Sequence, residues 1–184
     1  MSQFNVPTRE EVSPKNQEIF DSLQSKLGFV PNLYAYYAKS ETALADYLGF
    51  QNRKTSLKAK EKEVVNLVVS QINNCKYCLS AHTVIGKMNG FDDSQILEIR
   101  NGSASFDAKL DVLAKTTKAI VENKGRIQEV QKTAFFEVGY TEESLIDLVV
   151  IVGDKTISNY IHNLADFAID FPIAEELTTE QLVS

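Results

Sequence analysis

Residues 63–82 have the sequence EVVNLVVSQINNCKYCLSAH, an apolar run, an Asn-Asn pair and a second segment that carries both cysteines of the chain. Apolar residues in the first half recur three and four positions apart, as they do on the buried face of a helix. Asn73 and Asn74 favour helix caps over helix interiors. The stretch therefore predicts two consecutive helices, of which the second begins near Cys75 and can fold back on the first.

The rest of the chain continues this helical pattern. No proline lies between Pro31 and Pro172, so the central part lacks the strongest helix breaker. Helical apolar spacings that end at glycines such as Gly28, Gly125 and Gly139 predict about eight helices joined by short links, with no hairpin signal. We therefore predict an all-α fold and a single domain over residues 1–184.

Two helix starts are predicted from capping residues. Ser56 is the expected N-cap of the helix that contains Glu63. Thr141 and Ser144 flank acidic residues and predict a capping box at the start of the last long helix.

The last long helix repeats the frame of the opening stretch. When the Leu-Val-Val triplets of the two segments are superposed, Cys75 stands opposite Thr156 and Cys78 stands opposite Asn159. Either an internal duplication of a helical hairpin or chance explains this similarity. Two alternatives also remain for Asn159, Tyr160 and His162 of this helix. They belong to a core or an interface, or they line a pocket beside the thiols.

Composition and charge exclude several function classes. The net charge is −6 and the pI is about 5.0, which disfavours a general nucleic-acid surface. The longest apolar segment, LIDLVVIVG, is too short for a membrane span and contains Asp147. The N-terminal stretch is polar and lacks the pattern of a secretory signal. We predict a cytoplasmic protein without a membrane partner, in a compartment that keeps thiols reduced.

Cys75, Cys78 and His82 form the chemically distinctive cluster of the sequence. On one continuous helix they would lie within a sector of about 60°. The cluster is compatible with a metal site, with a redox dithiol, or with two buried thiols beside a satisfied histidine. A metal site needs a fourth ligand or water, and His162 is the only other histidine, with no third cysteine. A close cysteine pair in a reducing compartment therefore favours a redox dithiol, without a metal or other cofactor.

The sequence leaves open which cysteine is the nucleophile. Populating a thiolate at neutral pH requires about 2.7 kcal/mol, whereas a helix N-terminus supplies about 0.3–1 kcal/mol. The helix start favours Cys75, but the neighbouring base His82 favours Cys78.

Glu63 extends the cluster to a longer pattern, E-x11-C-x2-C-x3-H. This pattern and its surroundings, including GFDDSQILEIRNG and ISNYIHNLADFAIDFP, resemble the alkylhydroperoxidase D family, within the carboxymuconolactone decarboxylase-like superfamily. The resemblance extends from about residue 15 to residue 173. It implies an all-helical fold, a homo-oligomer (a trimer or a hexamer) and activity without metal or haem.

The resemblance also implies roles for four residues. Glu63 and His82 would form a relay that withdraws the proton of Cys78, the peroxidatic thiol, and Cys75 would resolve the product as a disulfide. The implied substrate is a small hydroperoxide, and the implied partner is an external dithiol reductant of the lipoamide or thioredoxin kind. The chain departs from the family at Tyr77, where well-studied peroxidases carry a relay histidine.

Two other functions remain as alternatives. A redox-sensing or chaperone-like protein could use the dithiol without turnover. A lyase of the carboxymuconolactone decarboxylase type would share the fold, but that branch does not use a C-x2-C dithiol.

Overall fold

The computed structural model describes residues 4–177, in which all regular secondary structure is helical and no strand occurs, as predicted for an all-α fold. Nine α-helices occur in this part of the chain, one more than about eight expected, together with a short 3-10 helix at Arg9–Glu11. The α-helices are α1 (Pro14–Leu27), α2 (Asn32–Tyr37), α3 (Ala43–Gln51), α4 (Ala59–Ile72), α5 (Lys76–Met88), α6 (Asp93–Arg100), α7 (Ala108–Glu122), α8 (Glu129–Glu137) and α9 (Glu142–Ala165).

The described residues form two compact units. The first contains the residues up to Lys54 together with Ile161–Asp170, and the second contains Thr55–Tyr160 and the residues from Phe171 onward. The single domain expected from the sequence stays a prediction. All four predicted site residues lie in the second unit, which is therefore the unit of functional interest.

The first unit is built from α1, α2 and α3. Gly28 ends α1 as predicted, in a left-handed conformation with φ of 83° that glycine adopts without steric cost. The rings of Tyr37 and Tyr47 stack with centroids 4.5 Å apart, which joins α2 to α3.

The second unit packs around α4. Val64, Val65, Leu67, Val68 and Val69 of this helix are all completely buried. A helix that is apolar on most of its circumference belongs in the middle of a core, and α4 contacts α5, α6 and α7. Four polar side chains of α4 are consequently buried as well: Glu61, Glu63, Asn66 and Ser70.

The predicted start of α4 is wrong. The helix begins at Ala59 with Lys58 at the N-cap, and the Glu61 carboxylate accepts the backbone N–H of Lys58 at 2.7 Å. Ser56 instead donates its backbone N–H and its hydroxyl to Oδ2 of Asp147, at 2.6 and 2.8 Å. Because the Asp147 carboxylate on α9 accepts both hydrogen bonds of Ser56, Lys58 occupies the N-cap position instead.

The start of α9 agrees with its predicted cap. Oγ1 of Thr141 accepts the backbone N–H of Ser144 at 3.2 Å, and the helix begins at Glu142. Over residues 4–177, no helix combines the length and the apolar character that crossing a bilayer requires.

Candidate functional site

A tight left-handed turn joins α4 to α5. Asn74 has φ of 51°, which an asparagine tolerates better than most residues. The backbone N–H of Cys75 donates to the carbonyl of Ser70 at 3.0 Å and closes the turn. The predicted helix break is therefore present, and it folds α5 back along α4.

Cys75 caps α5 and does not lie within it. Its backbone is extended, with φ of −90° and ψ of 96°, and its Sγ accepts the backbone N–H of Cys78 at 3.4 Å. The expectation that both cysteines and His82 share one continuous helical stripe is therefore wrong for Cys75. The cap nonetheless brings the sulfur of Cys75 to the first turn of α5, where Cys78 lies.

Glu63 and His82 form a buried pair between α4 and α5. Oε2 of Glu63 lies 2.7 Å from Nδ1 of His82, and both residues are less than a tenth exposed. Oε1 of Glu63 accepts an N–H of the Asn66 amide at 2.9 Å, so both carboxylate oxygens have a donor. Because an ionised carboxylate only accepts, Nδ1 of His82 carries the proton in this hydrogen bond.

The carboxyl group of Glu63 is ionised in spite of its burial. Burial alone would raise its pKa, but the charge and the hydrogen bond of His82, the charge of Lys155 and the Asn66 amide together hold the pKa below its usual value. The pair therefore matches the arrangement in which a carboxylate orients an imidazole and stabilises its positive charge.

The two thiols are buried, and their pKa values are shifted in opposite directions. The pKa of Cys78 is lowered to about 6, first by its hydrogen bond with Cys75 and then, against the effect of burial, by the charges of Lys155 and His82 and by Asn159. The pKa of Cys75 is raised by its hydrogen bond with Cys78 and by burial. These directions are the ones that Cys78 would need as the nucleophile, and its role stays a prediction.

Asn159 of α9 lies beside both thiols. Its Nδ2 donates to Oγ of Ser70 at 3.2 Å, and its Oδ1 accepts from Nδ2 of Asn73 at 3.0 Å. Its side chain also lowers the pKa of both Cys75 and Cys78. Asn159 therefore lies beside the thiols, which is the second of the two alternatives given for this helix.

The other two residues of that prediction have different surroundings. Tyr160 is 61% exposed. His162 is buried, with its ring against Phe167 and its Nε2 3.1 Å from the carbonyl oxygen of Phe167. His162 is thus a core histidine, as the first alternative has it.

Sequence reasoning missed three polar residues of the site: Asn66, Ser70 and Lys155. A signal for the first two was present, because Glu63, Asn66, Ser70 and Asn73 follow one another at spacings of three, four and three within an otherwise apolar helix. Lys155 had a weaker signal, a lysine shortly after the apolar run of α9, and it is only 2% exposed.

Tyr77 serves packing at the position where the sequence departs from the family pattern. Its ring meets Phe171 edge-on at 5.6 Å between centroids, and it is 2% exposed. Nearby, the backbone N–H of Ala174 donates to Oγ of Ser80 at 3.0 Å. The C-terminal segment is therefore fixed to the side of α5 that carries Tyr77.

The dithiol lies apart from the cavity between α7 and α8. This cavity of about 740 Å³ is lined mainly by those two helices and includes neither cysteine. Within residues 4–177, no three His, Cys, Asp or Glu side chains are grouped so as to hold a metal ion. The four predicted site residues are instead buried where α4 packs against α5.

One family model matches the part of the chain that contains this site. Residues 38–121, which include Glu63, both cysteines and His82, match the model of the carboxymuconolactone decarboxylase family. Over these residues the chain is similar to that family. A search of curated proteins finds no match.

Solved structures agree with this fold. An uncharacterized peroxidase-related protein with an alkylhydroperoxidase AhpD core, from Ralstonia eutropha JMP134, is 19% identical with a TM-score of 0.80 over 99% of this chain and 95% of that one. A peroxidase-related protein from Silicibacter sp. TM1040 is 21% identical, with a TM-score of 0.78 over 90% and 89% of the two chains. The debrominase Bmp8 is 16% identical, with a TM-score of 0.74 over 92% and 93%.

These similarities show that the chain shares the all-helical fold of proteins with an AhpD core. The debrominase shares the fold at low identity, so the fold alone does not define the reaction.

Proposed function

We propose that the protein is a dithiol-dependent hydroperoxidase. The observation that carries the proposal is the pairing of an acidic Cys78 with Cys75 on one helical turn, beside the buried Glu63–His82 pair. A thiolate is the nucleophilic form of cysteine, and a second thiol within reach is what a recyclable oxidation requires.

In the first step, the thiolate of Cys78 attacks the terminal oxygen of a hydroperoxide, ROOH. A sulfur–oxygen bond forms, the O–O bond breaks, and Cys78 becomes a sulfenic acid. The leaving alkoxide takes up a proton and departs as the alcohol ROH. His82, held by Glu63, stabilises the thiolate beforehand and is the nearest group that can hold or transfer that proton.

In the second step, the sulfur of Cys75 attacks the sulfenic sulfur of Cys78. A disulfide forms and one water molecule leaves, so that two thiols and ROOH have become a disulfide, ROH and water. An external dithiol of the lipoamide or thioredoxin kind then restores both thiols by exchange and is itself oxidised to a disulfide. A small hydroperoxide fits this scheme because both sulfurs are buried.

A thiol titration tests the proposal directly. We expect two free thiols per chain before treatment and none after one equivalent of tert-butyl or cumene hydroperoxide, with both recovered upon addition of dihydrolipoamide. During repeated additions of peroxide, the amount of dihydrolipoamide that is oxidised would measure turnover. The thiolate should be half formed near pH 6, so the reaction should slow as the pH falls below that value.

Other outcomes of this titration would identify the rival functions. A single oxidation that the dithiol does not reverse would mark a redox sensor or chaperone-like protein. Retention of both thiols together with consumption of a carboxymuconolactone would mark a lyase. A second substrate class, halogenated aromatics, merits the same assay because the debrominase shares the fold. The thiolate of Cys78 would attack the halogen, the carbon–halogen bond would break and the carbon would take up a proton; Cys75 would then displace the halide from sulfur, so that two thiols and ArX become a disulfide, ArH and HX.

We also propose that the chain associates with itself, as the predicted trimer or hexamer requires. Along α9, the exposed positions Ile146, Val149, Gly153, Ile157 and Tyr160 follow helical spacing and carry no charge. Gly153 in the middle of this stripe meets no atom within 4 Å beyond it, so a second helix could approach closely. A cytoplasmic location stays a prediction.

Substitution of the stripe tests the self-association. We expect Ile157→Lys to lower the mass measured by light scattering, because burying an unpaired charge in an apolar contact is unfavourable. The control is Lys115→Glu, which changes charge on α7 at a side chain that is 62% exposed. An unchanged mass for Ile157→Lys would mean that this stripe is not the contact.

A further inference from the structure

One side chain of α9, the Asn159 amide, is hydrogen-bonded to both ends of the segment that leads from α4 to the dithiol. Its Nδ2 donates to Oγ of Ser70 at 3.2 Å, and its Oδ1 accepts from Nδ2 of Asn73 at 3.0 Å. Ser70 lies in the last turn of α4, and Asn73 is the C-cap residue of that helix. Since Asn159 and Ser70 are completely buried, this contact lies inside the protein.

Ser70 connects Asn159 to Cys75. Its Oγ accepts from Asn159, and its carbonyl oxygen accepts the backbone N–H of Cys75 at 3.0 Å. The sulfur of Cys75 in turn accepts the backbone N–H of Cys78 at 3.4 Å. A continuous series of hydrogen bonds therefore leads from α9 through the end of α4 to the sulfur of Cys75 and the first turn of α5.

The turn between α4 and α5 has a conformation that contacts from outside help to fix. Asn74 has φ of 51°, and a residue other than glycine adopts this left-handed region at a cost in free energy. Such a conformation persists where the surrounding structure determines it, and Asn159 bonds the side chain of Asn73, the preceding residue. Neither of these two hydrogen bonds of the amide uses a sulfur atom, so a disulfide can form without breaking them.

We propose that Asn159 is a positioning residue of the dithiol, which fixes the α4–α5 turn and thereby holds the sulfur of Cys75 within reach of Cys78. Two groups that a protein holds in place react as if each were present at a high effective concentration. Without the Asn159 amide, Cys75 would occupy more positions, and the pairing of the two sulfurs would be less favourable. The inference rests on the Cys75–Cys78 disulfide of the proposed function and names the residue that favours its formation.

Exchange with glutathione measures this effective concentration without peroxide. Two protein thiols and one oxidised glutathione become the protein disulfide and two reduced glutathiones, and mass spectrometry after alkylation gives the disulfide fraction at each glutathione ratio. For Asn159→Ala we expect the equilibrium constant to fall about tenfold, which raises the reduction potential of this two-electron couple by about 30 mV. A constant equal to or larger than that of the wild type, in a variant with a native circular dichroism spectrum, would overturn the proposal.

Ser70→Ala is a second variant that changes the volume of the side chain less. It removes the acceptor of Asn159 but keeps the carbonyl that bonds Cys75. We expect the constant to fall by a smaller factor, because the hydrogen bond between Asn159 and Asn73 remains. Ser70→Ala should add nothing to the effect of Asn159→Ala when the two are combined. If Asn159→Ala does not fold, an unchanged constant for Ser70→Ala overturns the proposal.

The matched control is Asn16→Ala. Asn16 is also a completely buried asparagine, and its Nδ2 donates to the carbonyl oxygens of Ala38 and Ser40 at 3.1 Å each, in the first unit. We expect this variant to have a lower thermal midpoint and an unchanged glutathione equilibrium. An equal shift of the equilibrium in Asn16→Ala and Asn159→Ala would mean that Asn159 acts through general stability, and would overturn the positioning role.

Failure of this inference is distinct from failure of the proposed function. A shifted equilibrium for Asn159→Ala, together with a wild type that consumes no hydroperoxide, would leave the inference standing and refute the peroxidase alone. Turnover of hydroperoxide by the wild type, together with an unshifted equilibrium for Asn159→Ala, would refute the inference alone.

Discussion

Replacing Cys78 by serine should abolish the reaction with hydroperoxide. The serine hydroxyl cannot form the anion that attacks the O–O bond, whereas the pKa of Cys78 is about 6 and its thiolate predominates at pH 7. We expect the rate of peroxide consumption to fall by about a thousandfold or more. The single remaining thiol, Cys75, should persist in a thiol titration after one equivalent of peroxide, because burial still raises its pKa in this variant.

Cys75→Ser is the matched partner of that variant. The serine hydroxyl keeps a donor next to the Cys78 sulfur but cannot resolve a sulfenic acid. We expect a single rapid turnover, after which a sulfenic-acid reagent such as dimedone adds to Cys78 and further peroxide is not consumed. If Cys78→Ser kept full activity, or if dimedone marked Cys75 in the wild type, the two roles would have to be exchanged.

Glu63→Gln should reduce the peroxidase rate at pH 7 by about ten- to a hundredfold. The glutamine keeps the volume of the side chain, but Nδ1 of His82 loses its carboxylate partner at 2.7 Å. The thiolate of Cys78 then loses part of its stabilisation, and its titration moves to higher pH. The loss should therefore shrink as the pH rises toward 9, where the thiolate forms unaided.

The control for this variant is Glu61→Gln on the same helix. Glu61 is equally buried, but it caps α4 and accepts the hydroxyl of Tyr140 at 3.1 Å. We expect Glu61→Gln to lower the thermal midpoint and leave the shape of the pH–rate profile unchanged. A Glu63→Gln enzyme whose loss of rate was the same at every pH would speak against a relay through His82.

Glu63 also links the stability of the fold to pH. Its pKa in the folded state lies below its ordinary value, so ionised Glu63 contributes stability above the ordinary pKa of a glutamate. That contribution is lost as the pH falls through the lowered pKa and the carboxylate is protonated. The wild type should therefore lose more stability on acidification than Glu63→Gln does.

Local signals were sufficient to predict the helices and much of the site. The helical spacing in α4, the Asn-Asn break and the terminal glycines each depend on neighbours in the sequence, and the helices formed accordingly. The wrong predictions arose where a distant group intervened. Asp147, 91 positions away, engages Ser56 and displaces the predicted cap.

The predictions for the site also succeed where the signal is local and fail where a distant residue takes part. Glu63 and His82 were predicted as a pair from the pattern, and they are in contact. Asn159 was one of several alternatives, because its partner Asn73 is 86 positions away and nothing local specifies that contact. Lys155 was missed altogether, since a single lysine near an apolar run is usually placed in solvent.

The sulfur of Cys75 has two tasks that exclude one another. In the reduced protein it caps the N-terminus of α5 by accepting the backbone N–H of Cys78. Once it is bonded to the sulfur of Cys78, its lone pairs are redirected and that amide needs another acceptor. If the proposed disulfide forms, the first turn of α5 would therefore lose this cap. The oxidised and reduced proteins would then differ in structure at the turn where an external dithiol has to react.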